Sequence, residues 1–187
     1  MGLLDALLGR SKPVRPDLDR LFALPAAAVT LEAAAGFRPT GYGSVCFAGG
    51  EGAGFARMEE EAGALLTGSP EFRRDDYGYT WLLTRHDSED VAGLVNDLHA
   101  ANVTLQDGGF APQLLCSLVG FRDAHSRSLA MVYLYKRGTF YPFAPQPGGG
   151  ERRDNGLELQ ARALLADDLR IEEDLSRWFP VWGAPGL

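Results

Sequence analysis

An α+β fold is what this 187-residue sequence predicts. It is expected as a single domain with an antiparallel-rich sheet of about five or six strands, covered by three or four helices. Three patterns carry that expectation. YGYTWLLTR (77–85) is dense in aromatic and β-branched residues, as strands are. QLLCSLVGFRD and RSLAMVYLY are nearly continuous apolar runs around the turn region DAHS, which reads as a hairpin at the sheet centre, covered on both faces. Segments with helical apolar spacing, 54–67, 89–105 and 155–166, separate these strands. With 45% hydrophobic and 23% charged residues, the chain can bury a core without disulfides or metals.

Taken in order, GLLDALLG (2–9) places Leu3, Leu4, Leu7 and Leu8 on one stripe of a short helix, which needs its own domain, another protein or a membrane surface to pack against. RSKPVRP follows as a basic linker. Residues 1–16 therefore form an amphipathic segment and linker, and 17–187 the α+β domain. Asp17 can cap a helix over 18–24 with Leu18, Leu21 and Phe22 inward. AVTLEAA fits a strand or a helix, GFRPTGYG reads as a turn-rich loop, and SVCFA as a short buried strand. The helix 54–67 turns Phe55, Met58, Ala62 and Leu65 inward and leaves Glu59, Glu60 and Glu61 in water. Asp87 or Ser88 is the expected cap of the helix 89–105.

After the hairpin, Gly138 in KRG suits a left-handed turn position, and TFYPF folds back as an edge strand that tolerates Pro142. APQPGGGE reads as a mobile connector, and Asp154 as the cap of the last helix, with Leu157, Ala161, Leu164 and Leu165 inward. Trp178, Phe179 and Trp182 are expected either to pack on the sheet or to form an exposed partner patch. The element order resembles that of type III secretion chaperones and YbjN-like domains, a likeness of fold alone.

The charge pattern narrows the function classes. A net charge of −7 argues against nucleic acid, whose binding needs phosphate neutralisation. Residues 1–16 run the other way, with Arg10, Lys12 and Arg15 against Asp5. Cys46 and Cys116 lie in apolar runs and read as free core thiols, which fits a reducing cytoplasm. Apolar runs fall short of the ~20 residues that span a bilayer. MGLLDALLGR lacks the layout of a signal peptide.

Catalytic patterns are not found. AGGEGAGF does not have phosphate-loop spacing. His86, His99 and His125 fall in no zinc motif, so neither metal nor cofactor is expected. Cys116 with His99 is a poor nucleophile–base pair, because apolar surroundings raise a thiol pKa. The best ligand site the residues offer is an anion site formed by Lys136, Arg137, Arg152 and Arg153 with Phe140, Tyr141 and Phe143 as an aromatic platform.

Longer strings point further. MGLLDALLGRSKPVRPDLDRLFALP, GYGSVCF, DLHAANVTLQDGGFAPQLLCSLVGFRD, VYLYKRGTFYPFAPQPGGGERRDN and DLSRWFPVWGAPGL together resemble the PspAB family, the PspA-associated proteins of the phage-shock envelope-stress response. The resemblance implies a non-enzymatic accessory role beside PspA, a coiled-coil protein of stressed membranes, and often beside an HtpX-type membrane metalloprotease. A cytoplasmic protein is expected, with peripheral contact at the inner face of the membrane through residues 2–9 as an alternative to free solution. Leu3, Leu4, Leu7 and Leu8, with Arg10 and Lys12, become the expected docking residues for a partner helix or the inner leaflet. A homodimer is a further expectation. A ligand sensor for a small anion and a chaperone-like binder of client peptides are the alternatives. The membrane version predicts that Leu4→Asp with Leu7→Asp abolishes liposome co-sedimentation; undiminished binding by that double variant would refute it.

Overall fold

A computed structural model describes residues 16–49, 51–148 and 150–187. The leucine stripe and Arg10, Lys12 and Arg15 lie outside the described residues. The architecture is α+β: one six-stranded sheet with every neighbouring pair antiparallel, and four α-helices among the described residues.

The chain opens with a 3-10 helix, Leu18–Ala23, that runs into α1, Leu24–Ala35. Three residues per turn align Leu18, Leu21 and Leu24 on the buried side. Phe22 falls off that line. It is 47% exposed rather than inward, with its ring 4.8 Å from that of His99. AVTLEAA is helix, because Leu24, Ala27, Ala28 and Leu31 bury at helical spacing. Gly36, at φ 70°, ends α1 in the left-handed position that glycine adopts at helix C-termini.

Strand β1, Arg38–Ala48, absorbs the segment expected as a loop. A register shift between Pro39 and Gly43, against the strand Leu114–Arg122, accommodates it. Gly41 is needed there: its φ is 80°, and a Cβ would clash with the His86 carbonyl oxygen. Helix α2, Ala53–Leu65, buries Met58 and Ala62. Leu65 is exposed, since the helix stops there and the next residue, Leu66, turns inward instead.

Strand β2, Glu71–Arg74, was not expected from a run of three charges around Phe72. It pairs with β3, Tyr79–Arg85. Helix α3, Val91–Leu105, is capped by Asp90, which accepts from Gly93 N at 2.9 Å, and not by Asp87 or Ser88. Strands β4, Leu114–Arg122, and β5, Ser128–Leu134, form the expected hairpin. The sheet order is β2-β3-β1-β4-β5-β6, with β6 formed by Thr139–Phe143; of the two hairpin strands only β4 is central, and β5 lies next to the edge.

Gly138 takes φ 65° before β6, Thr139–Phe143, an edge strand as expected. The edge is covered: Phe140 N donates to Arg170 O, and Glu172 N to Phe140 O. The connector after β6 is tied at both ends, by Gln146 N to Arg152 O and Asp154 N to Ala144 O. Asp154 caps α4, Asn155–Leu164, accepting from Leu157 N at 3.0 Å.

The helices pack on one face of the sheet, over Val45, Phe47, Leu82, Val119, Phe121 and Tyr133. A polar knot pins α3 there. The buried Asp97 carboxylate accepts from Gly68 N at 2.7 Å, Thr67 N, the Thr84 hydroxyl and His86 Nε2 at 2.8 Å. The other ring nitrogen of His86 faces Asp90 at 3.0 Å. Burial works against a charged His86, but hydrogen bonds to Asp97 and Asp90 prevail and raise its pKa. Protonation therefore binds this corner together. The stabilisation due to His86 is expected in full below its unfolded pKa of about 6.5, and is lost as pH rises through the higher folded value. Urea melts of the wild type and His86→Gln at pH 5.5 and pH 9 should differ most at the lower pH. A constant difference would exclude a protonated bridge.

Candidate functional site: an apolar groove on the second face

Among the described residues no α-helix packs on the second face. Alternation along the strands turns Cys46, Trp81, Leu118, Ala130, Val132, Tyr141 and Phe143 toward it. The C-terminal tail covers part of this surface with Trp178, Val181 and Ala184. Hydrogen bonds pin that tail. Tyr141 Oη donates to Phe179 O at 2.7 Å, Trp178 Nε1 to Glu172 O at 3.0 Å, and Ser44 Oγ to Pro185 O at 2.9 Å. Arg153 also donates to Trp178 O. Trp178 stacks on Tyr141, and Trp182 meets Phe143 edge-on at 4.8 Å.

What the tail leaves uncovered is a cavity of about 670 Å³, a volume typical of ligand and peptide-side-chain pockets. Its floor is Cys46, Trp81, Leu115, Cys116, Leu134 and Tyr141, and its wall is Phe179–Trp182. Tyr77, Tyr79, Asp75 and Glu151 line one side of the rim; Lys136, Arg137 and Arg177 also line the cavity. Phe179 stands at the lip, 58% exposed.

A β-bulge shapes the floor. Cys46 pairs with Cys116 and Phe47 with Leu114, which leaves Leu115 as the extra residue of β4. Leu115 and Cys116 thus both reach the cavity, although adjacent strand residues ordinarily point apart. The two thiols are cross-strand neighbours and both are free. The hydrogen bond with Cys116, then burial, pushes the Cys46 thiol pKa far up. Burial does the same to Tyr141. Neither group is primed as a nucleophile at neutral pH.

The expected anion site does not assemble. Arg137 Nε donates to the buried Glu172 at 2.8 Å, and Arg153 Nε to the buried Glu158 at 2.8 Å. Burial opposes the Glu172 carboxylate, but Thr139 and Arg137 hold its pKa below the ordinary value. The aromatic platform is split by strand alternation: Phe140 packs on the helix face, Tyr141 and Phe143 on the tail face. Arg153 lies over the Phe143 ring, Arg152 is exposed, and Lys136 and Arg137 border the cavity. The tail trio divides as well, with Trp178 buried, Trp182 half-buried and Phe179 exposed. His99 sits on the helix side against Asp19, remote in the fold from the Cys116 face. Among the described residues no group of three or more His, Cys, Asp or Glu could hold a metal ion.

Sequence reasoning missed the Cys46–Cys116 pairing and Trp81 as parts of one surface. Their only signal was strand phase, and the bulge at Leu115 resets that phase.

The family model described as PspAB, PspA associated protein B, matches residues 1–186. The chain belongs to the PspAB family. No curated protein and no solved structure matches it. The family description links this PspAB protein to PspA as an accessory. No helix among the described residues is long and apolar enough to cross a membrane.

Glu172 anchors both the β5–β6 turn and the tail, through Arg137, Thr139 and Arg177. Glu172→Gln is expected to cost about 2 kcal/mol, less than a wholly buried pair because the arginines are partly exposed. Urea unfolding followed by tryptophan emission measures this, and a loss under about 0.5 kcal/mol would contradict the anchoring role.

Proposed function

We propose that this PspAB protein is a non-enzymatic adaptor that binds a PspA-type coiled-coil protein directly, taking the apolar face of a partner helix into the second-face groove. The groove itself carries this reading: an apolar floor and an exposed aromatic lip, within a rim of both charge signs. A coiled-coil helix offers the matching surface, an apolar stripe flanked by charges of both signs. Raised thiol and phenol pKa values on the floor favour binding over chemistry. The anion-sensor alternative loses its support, because two of its arginines already have glutamate partners. The reading goes with a cytoplasmic location. Contact of residues 2–9 with the inner leaflet and a link to an HtpX-type protease belong to it as secondary proposals.

Co-purification with the PspA-type protein of the same genome, without lipid, tests it. The full chain, a chain lacking residues 1–12, and Phe179→Asp with Tyr79→Ala are compared. Both substituted side chains are exposed, so the fold should persist. The groove variant is expected to lose at least about tenfold in affinity, the scale of a lost interface anchor. No complex with the full chain, or full binding by the groove variant, overturns the proposal.

A further inference from the structure

We propose that Cys46 and Cys116 form a reversible dithiol–disulfide site: a small disulfide entering the cavity converts the two thiols into an intrachain bond between β1 and β4, and excess thiol reopens it. The site stands whether or not the groove takes a partner helix. Cys46 and Cys116 are direct Cα partners in the β1–β4 ladder, and both side chains belong to the second-face cluster. Facing residues of an antiparallel pair have Cα atoms about 4.5–5.5 Å apart, within the roughly 4.4–6.8 Å that disulfides span. The two thiols already share a hydrogen bond. Bonding asks the Cβ atoms to approach by up to about 1 Å. The bulge at Leu115 interrupts the ladder beside Cys116 and gives β4 the play for that approach. These are the only two cysteines in the chain.

A cysteine that serves only as a small core residue has no route for a reagent. Here the route exists. Cys46 and Cys116 are 3% and 7% exposed, yet both line the cavity of about 670 Å³. That volume admits a small organic molecule, and its apolar lining of Trp81, Leu115, Leu134 and Tyr141 suits an aromatic one.

The exchange runs in two steps. Cys116, the more exposed of the two and next to the bulge, gives its proton to water, and its sulfur attacks one sulfur of the reagent. The reagent's S–S bond breaks, and one half leaves as a thiolate that takes up a proton. The Cys46 sulfur then attacks the Cys116 sulfur of this mixed disulfide. The mixed bond breaks, and the second half leaves as a thiol with the Cys46 proton. The protein gives up two electrons and two protons, and the reagent gains both. Burial makes the first step slow. Proximity drives the second, because the mixed disulfide forms beside the remaining thiol. Thiol-rich surroundings keep the pair open. Once closed, the bond staples the ladder that joins the two halves of the sheet.

The test adds about half an equivalent of a small coloured aromatic disulfide to the full-length protein, without denaturant and at low micromolar concentration. Wild type is expected to release two coloured thiols for each reagent molecule consumed and to retain no adduct in its mass spectrum. Digestion without reductant should give one peptide pair joined through Cys46 and Cys116, and dithiothreitol should restore both thiols. Cys46→Ala and Cys116→Ala should each release half as much, one coloured thiol per reagent molecule, and keep the adduct. The wild-type stoichiometry decides even where a variant folds poorly. A persistent wild-type adduct with a single release overturns the proposal. So do chains cross-linked in pairs, or thiols that survive hours of excess reagent while the urea-unfolded chain reacts. Partner binding does not enter this readout, so the adaptor reading and the thiol site fail separately.

Discussion

The antiparallel ladder between β1 and β4 holds the two halves of this protein together. β1 carries β3 and β2 on one side, and β4 carries β5 and β6 on the other. The two strands are separated in sequence by two helices and two strands, so the ladder is a long-range closure. Helix α3 packs across it, and Gly43 of β1 fits beneath Leu94 and Leu98 of that helix, where a Cβ would meet both at about 3 Å. The same ladder carries the bulge that brings Leu115 and Cys116 side by side. Packing on one face and cavity shape on the other thus originate in one strand pair.

The asymmetry of the two faces follows from chain economy. Four helices cover one side. Among the described residues, the other is covered by those after α4, held by single hydrogen bonds from Tyr141, Ser44 and Arg153. A short irregular tail cannot cover the broad apolar face of six strands, so a groove remains. Its buried glutamates act at the margin. Glu158 on α4 and Glu172 beside β6 each hold an arginine in an ion pair.

Much of this was legible in the sequence, for identifiable reasons. The β4–β5 hairpin announces itself because strands covered on both faces are nearly continuously apolar, and β3 does so by its aromatic and β-branched residues. Asp154 and Gly138 were readable because cap and turn geometry is local. β2 was not, since an exposed edge strand of four residues with three charges has no apolar signature. The first half of β1 looked like a loop because Pro39 and Gly41 are loop residues, tolerated here by an irregular register. The site was the least legible part. Arg137 finds its partner thirty-five residues away, and no local pattern distinguishes that arginine from one awaiting an anion. The family, in contrast, was legible from long matching strings, and the family model covers those strings.

The covered edge at β6 has a consequence for self-association. Sheets that grow by strand addition need two open edges, one to receive a strand and one to offer the next. Here residues 170–172 occupy one edge through the bridge between Phe140 and Ile171. The other edge is β2, whose Glu71, Arg73 and Arg74 already hold ion pairs within the chain. Edge-to-edge joining could unite two copies through β2 and would then stop. The fold admits a closed pair by this route and blocks a fibre.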